Sequence, residues 1–302
     1  MSAPSPSAPL VEEVAQQPSR NQGAAALAAQ HGLTRIGGRP RLSAYLKDLW
    51  QRRHFALKLG SSRAYARNQD SFLGQLWAVL TPLLWAGVYL FVFGVLLKTD
   101  RGVENFAGFL VIGVFLFRFT ASSISAGAKA ITGNSSLISS LQFPRALLPI
   151  AVVVAEFVAL LPELVVLAAL VLVTGEPVRV QWLLLLVAVG LQLLFSLGVA
   201  FIVARAVAEI RDVGNLIPFV IRALMYVSGV FFSIDHYAGG GLLGDILTHN
   251  PMAIYLELGR ASLLEGQSVG LDIWAWGAGF AVVTLVGGFL YFWHGEEKYG
   301  RV

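Results

Sequence analysis

Apolar residues gather into six long runs along this chain, at roughly 76–97, 106–128, 146–173, 181–204, 213–233 and 272–293. Each run is near or above the roughly 20 residues that a helix needs to cross about 30 Å of hydrocarbon. The pattern predicts an all-α integral membrane protein with six transmembrane helices. Ahead of the first run the pattern changes. Over residues 42–58, Leu42, Tyr45, Leu46, Leu49, Trp50, Ala56 and Leu57 fall near helical spacing, with Lys47, Asp48, Gln51, Arg52 and Lys58 on the other side. This segment is too polar to span. It predicts an amphipathic helix lying in the membrane interface, or alternatively a soluble helix packed on a partner.

Two further stretches stand outside the runs. Residues 1–41 are rich in Ala, Pro, Ser, Gln and Gly. Such sequence buries too little surface to offset its ordering entropy, which predicts a disordered cytoplasmic tail. No apolar region follows a charged start, so it does not read as a signal peptide. The chain thus divides into the tail at 1–41, an interface helix and approach to span one at 42–75, and a transmembrane domain at 76–302. After span five, residues 234–271 hold the turn Gly239-Gly240-Gly241, a short apolar piece at 242–247, and Asn250-Pro251. Asn as N-cap with Pro at the first helical position predicts a helix from Met252 to about Leu264. These pieces are too short or too polar to span and fit re-entrant or interfacial helices at the outer mouth.

Composition strengthens the membrane reading. Hydrophobic residues make up 56% of the 302 and charged residues 13%, against roughly 25% charged in soluble domains. A surface this poor in charge excludes an ordinary cytosolic enzyme. The absence of cysteine excludes disulfides, thiolate metal sites and thiol catalysis. Residues 1–75 carry ten Lys or Arg against four Asp or Glu, but no basic run with interleaved aromatics points to nucleic acid. The excess reads as a cytoplasmic flank. With both termini inside, the inner loops and tail hold sixteen Lys or Arg, including Lys129, Arg145, Arg205, Arg211, Lys298 and Arg301, while the outer loops hold Lys98, Arg101, Arg179 and Arg260. That asymmetry predicts the orientation.

Several motifs are absent or misleading. No Gly is followed by Lys, so there is no phosphate-cradling P-loop. Residues 239–244 match G-x-G-x-x-G by letter only, since no strand precedes them. Asn134-Ser135-Ser136 matches a glycosylation acceptor but falls on the inner side. The five histidines, His31, His54, His236, His249 and His294, show no metal spacing, and no metal site is expected. Four ionisable residues lie inside the predicted spans: Arg118, Glu156, Glu163 and Arg222. Each is costly at a helix centre and should face protein or water. Counting about 1.5 Å per residue puts Arg118 and Glu156 both about 15–16 Å from the inner end. This predicts an Arg118–Glu156 ion pair, with Arg222 competing for the same carboxylate and Glu163 lining a conduit. Such a pair serves either as structure or as a proton relay.

Three segments then become familiar. Leu73-Gly74-Gln75-Leu76-Trp77-Ala78-Val79-Leu80-Thr81-Pro82 follows the basic stretch Arg63-Ala64-Tyr65-Ala66-Arg67. Asn134-Ser135-Ser136-Leu137-Ile138-Ser139-Ser140-Leu141 runs into Gln142-Phe143-Pro144-Arg145. Arg211-Asp212 precedes span five and Asn250-Pro251 follows it. Together they resemble the membrane permeases of type-2 ABC exporters for polysaccharide, the O-antigen, teichoic acid and galactan exporter family. The Ala- and Pro-rich tail is similar to that of actinobacterial galactan exporters.

The resemblance implies a homodimer, each half binding a separate ABC ATPase subunit that holds ATP and Mg, with no cofactor on this chain. It implies export of a polyprenyl-diphosphate-linked polysaccharide across the bacterial plasma membrane, with no bond chemistry in the permease. Residues 134–141 would be the coupling helix, whose Ser135, Ser136, Ser139 and Ser140 suit a wet interface with the ATPase. Arg63, Arg67 and Arg211 would meet the diphosphate, since guanidinium pairs with phosphate oxygens, or would simply anchor to anionic lipid. Tyr89, Phe115, Phe119, Tyr226 and Phe231 would line the channel and stack on sugar rings, or serve as packing. Competing functions are an exporter of drugs or small lipids, a membrane-embedded glycosyltransferase, and a proton-coupled transporter. The outer-loop carboxylates Asp235, Asp245, Glu257, Glu265 and Asp272 are too scattered for the second, and no internal repeat of the spans supports the third.

Overall fold

The computed structural model describes residues 41–67, 69, 72–96, 103–234 and 241–299. The expected tail, Gly239 and Gly240 of the glycine turn, and Lys98, Arg101 and Arg301 lie outside them. Among the described residues all regular structure is helical.

The amphipathic segment forms two helices where one was expected, α1 (Leu42–Gln51) and α2 (Arg53–Ala66). The break falls at Arg52, whose φ of −96° and ψ of 12° leave the helical region. Its side chain holds the corner, donating to Asp48 Oδ1 at 2.8 Å and to the Gln142 carbonyl at 3.0 Å. On α1 only Tyr45 is buried, whereas Leu46 and Trp50 are exposed. This leaves an apolar edge of α1 uncovered by the rest of the chain. α2 runs eight residues past the expected end at Lys58. Its register is set by Ala56 and Gly60, both buried. A side chain at Gly60 would collide with the Ala151 carbonyl and with Val154, so glycine is what lets α2 lie directly on α6 (Leu147–Val173).

Among the described residues, four helices are long and apolar enough to cross a membrane: α4 (Phe106–Ala128), α6 (Leu147–Val173), α7 (Leu184–Glu209, entered through a 3₁₀ turn at Val180–Leu183) and α11 (Leu271–His294). α4 is the most enclosed and sits at the centre of the core, packed by α6, α7 and α10 (Pro251–Leu263). α7 and α11 form the closest helix pair. Gly198 lies against the Thr284 backbone and Gly288 against the Gly198 carbonyl there, at distances that leave no room for a Cβ. Small residues commonly bring transmembrane helices together in this way, because burial from lipid supplies no driving force of its own.

The first and fifth apolar runs make shorter helices than expected. α3 (Trp77–Leu90) contains Pro82 and continues as one π-helical turn, Phe91–Leu96. α8 (Val213–Val227) contains Pro218 and stops six residues before the end of its run. The reason for the second stop is visible. Gly229 takes φ +64°, and Arg260 of α10 claims the Gly229 and Val230 carbonyls at 2.9 and 3.2 Å. With those acceptors engaged the backbone turns instead of climbing further.

The segment after span five follows the sequence reading closely. α9 (Leu242–Thr248) is short, and Asn250 caps α10 by accepting from the Met252 amide at 3.1 Å. α10 is nearly all buried. Tyr255 donates to the Gly277 carbonyl at 2.8 Å and its ring lies 5.1 Å from Phe195. α10 thus packs into the helix bundle and does not lie apart from it.

Candidate functional site

The loop between α4 and α6 carries the first functional feature. A 3₁₀ turn, Thr132–Asn134, leads into the six-residue helix α5 (Ser135–Ser140). Leu137 and Ile138 face the bundle and pack against its second hydrophobic cluster. Ser135, Ser136, Ser139, Ser140 and Leu141 are exposed. One face is therefore fixed and the other is wet and free. Asn134 anchors the start, donating to the Ala130 carbonyl at 2.7 Å and accepting from Arg63 of α2 at 2.5 Å.

The far end of this loop is tied by contacts that sequence reading did not foresee, centred on Glu296, a residue it did not single out. Phe143 meets Phe55 of α2 at 5.6 Å. Glu296, just past α11, accepts from Tyr45 Oη at 2.8 Å and from the Arg145 amide at 3.0 Å, and its own carbonyl accepts from Arg145 Nη1 at 2.6 Å. Tyr45 Oη in turn accepts from the Ala146 amide at 3.1 Å. Burial pushes the Glu296 carboxyl up, against the lowering by the Arg145 amide and Tyr45. A lone tyrosine on a polar helix and a glutamate 251 residues away give no local signal of their meeting.

The second feature is an ionic cluster between α2, α4 and α6. Arg67 lies at the end of α2, and both of its terminal nitrogens reach the Glu156 carboxylate of α6, Nη1 to Oε2 at 3.3 Å and Nη2 to Oε1 more closely still. Arg118 of α4 stands 3.7 Å from Glu163 instead. The expected Arg118–Glu156 pair is thus not formed. Depth counting ranked residues along the helix axis but ignored Arg67, because α2 was expected to end at Lys58. Arg222 does not compete either. It is exposed on α8 and pairs with no carboxylate among the described residues.

A cavity of about 310 Å³ opens beside this cluster, lined by Arg63, Arg67, Lys129, Asn134 and Glu156. Burial pulls the Arg63 guanidinium down, while the hydrogen bond to Glu156 raises that of Arg67. Arg63 and Arg67 share the site as expected, but Arg211 does not line it. It is exposed at the start of α8. Lys129 was not foreseen as a member. A second void of about 20 Å³ lies deeper, between Arg67, Arg118, Glu156 and Glu163.

The aromatics separate into two groups. Tyr89 and Tyr226 lie 5.5 and 5.9 Å from Phe231, and Phe93 stacks on it at 5.0 Å. This cluster joins α3 to the turn after α8. Phe115 and Phe119 are instead buried in the core, the latter against Phe157. They pack helices together, with Phe119 bordering only the 20 Å³ void, and neither reaches the open face where a channel was expected. Around the first group α3 and α8 present an open apolar face, including Trp85, Val88, Phe91, Phe219 and Tyr226. Arg222 stands on the α8 part of it.

The sequence is matched by known proteins. Residues 59–264 match the family "ABC-2 type transporter". The O-antigen export system permease protein RfbA of Klebsiella pneumoniae is 27% identical over 202 residues, covering 66% of this chain and 76% of the relative. The protein of the same name from Myxococcus xanthus is 27% identical over 223 residues, 73% of this chain and 84% of the relative. The polysialic acid transport protein KpsM of Escherichia coli is 25% identical over 223 residues, 70% and 82% of the two chains. These relatives are transport subunits, not enzymes. The family match spans more than half of the sequence and includes the second half of α2, the serine helix and the capped helix α10, so the chain belongs to the ABC-2 type transporter family.

Proposed function

We propose that this chain is the permease half of an ATP-driven exporter that carries a polyprenyl-diphosphate-linked polysaccharide across the plasma membrane. Two of the cited relatives are named for O-antigen export and the third for polysialic acid transport. The structural observation that carries the reading is the two-faced helix α5. Its apolar side is locked to the bundle while a row of serines is left for a partner. In this reading that partner is an ABC ATPase, two copies per complex, which binds ATP and Mg. α3 and α8 complete six spans with both termini in the cytoplasm.

Arg222 supports the dimer. An arginine on the open face of an apolar helix is expensive against lipid, and a second copy covering α3 and α8 turns that face toward a shared aqueous path. Tyr89, Tyr226 and Phe231 then stand beside the path and offer ring faces to sugars. Arg63, Arg67 and Lys129 gather cationic groups at the cytoplasmic mouth, where a diphosphate would arrive. Affinity purification from native membranes tests the reading. A stoichiometric ATPase should co-purify, and Ser139→Arg on the exposed face should release it while the permease itself stays folded. A lone permease indifferent to ATP would refute the proposal.

A further inference from the structure

Glu156 is buried, at 7% side-chain exposure, yet its partner Arg67 is half exposed at 49% and faces the 310 Å³ cavity. The buried carboxylate therefore occupies, from below, the guanidinium fork that an anion in the cavity would need from above. A planar guanidinium offers its two terminal nitrogens to one carboxylate or one phosphate at a time in this geometry. A second place for the carboxylate already exists. Arg118 lines the same deep void as Glu156, and its Nη1 is buried without a hydrogen-bond partner among the described residues. An orphaned guanidinium N–H costs free energy, and nothing near it but Glu156 and Glu163 bears negative charge in that void.

We infer that Glu156 is a resident stand-in for cargo phosphate: an incoming lipid diphosphate takes Arg67 together with Lys129, and the displaced carboxylate moves to Arg118. No covalent step or proton transfer is involved; the pairing partners exchange, and the charge count in the void is unchanged. The neighbouring contact makes the exchange felt elsewhere. Arg63, one helical turn before Arg67 on α2, holds Asn134 at the start of α5, so a shift of α2 toward the anion bears directly on the serine helix. The inference rests on the diphosphate-linked cargo proposed above and adds to it the residue that must be displaced, the residue that receives it, and Lys129 as a further phosphate ligand.

Equilibrium binding of geranylgeranyl diphosphate tests this, with the full chain and its co-purified ATPase in phosphatidylcholine nanodiscs. If Arg67 is free about a tenth of the time, Glu156→Gln should tighten binding about tenfold, since the competent fraction sets the apparent affinity. Glu156→Asp, which keeps the charge on a shorter arm, should fall between and guards against a folding defect in the first variant. Arg118→Gln should weaken binding in the wild-type background and leave it unchanged in Glu156→Gln, because no carboxylate then needs a new partner. Lys129→Gln should weaken it in both backgrounds. Unchanged affinity in Glu156→Gln, or equal losses from Arg118→Gln in both backgrounds, would overturn the exchange while leaving the cargo reading intact. Binding absent from the wild type and every variant would instead sink the diphosphate reading itself. A parallel arm in phosphatidylglycerol nanodiscs separates the sources: undiminished diphosphate affinity supports cargo, and full competition by that lipid overturns it in favour of a headgroup site.

Discussion

Arg67 and Glu156 show how one pair can set both stability and chemistry. Removing one partner of a buried ion pair costs roughly 3–5 kcal/mol, because the survivor stays charged and unpaired. Here the arginine is half exposed and solvent screens the pair, so the loss on Arg67→Met should be smaller, about 1–3 kcal/mol. The double variant Arg67→Met with Glu156→Leu should recover most of it. Thermal unfolding in detergent measures both, and a double variant no better than the single one would contradict the pairing. Gly60 makes a second, independent test. Gly60→Leu places a side chain where the Ala151 carbonyl lies. It should destabilise by about 1–3 kcal/mol, as overpacking does, or more if α2 leaves α6 altogether.

Among the elements, α5 and its two ties carry the account. Leu137 and Ile138 are packed inward, so Leu137→Asp should unfold the loop, whereas Ser136→Arg and Ser139→Arg should act only on the partner. Loss of ATPase binding in the serine variants with unchanged melting is the expected result. The Glu296 tie adds a pH dependence. Its folded-state pKa is raised by burial, so folding favours the protonated carboxyl. The stability it allows is fully present below the unfolded value of about 4.3 and declines as pH rises from there through the raised folded value. Melting of the wild type relative to Glu296→Gln should therefore improve on acidification from neutral pH. The opposite slope would mean that Arg145 and Tyr45 outweigh burial.

These elements also mark how far sequence could be read. The four long helices and the Asn250 cap were legible because each is written in local periodicity or in one residue's chemistry, whereas the helix at α5 was expected only from the family resemblance. The shortening of α8 was not. It depends on Arg260 reaching the Gly229 carbonyl from 31 residues away. Nor was the partner of Glu156, because residues 58–66 lack an apolar stripe and gave no sign that α2 would carry Arg67 to α6. Phe115 and Phe119 were misplaced for a related reason. Aromatic content says that a helix has rings, not which side of it faces a path.

Across the whole molecule, α3 and α8 bury few of their residues, and among the described residues they are the two apolar helices too short to count as full spans. A second copy burying them accounts for both facts and for Arg222. Because the chain has no cysteine, Phe219→Cys gives a single thiol on that face, and oxidation in membranes should yield a disulfide-linked dimer. A thiol on the lipid side of α11, such as Val283→Cys, should remain monomeric under the same conditions.

The central claim is that ATP hydrolysis on a partner drives polysaccharide through this chain by way of α5. Inside-out membrane vesicles containing the permease, its ATPase and lipid-linked polysaccharide test it most directly. Added ATP should make the polysaccharide inaccessible to an external glycosidase, and Ser139→Arg should abolish that protection in vesicles holding equal amounts of folded permease. Protection that develops without ATP, or that survives Ser139→Arg unchanged, would contradict the account.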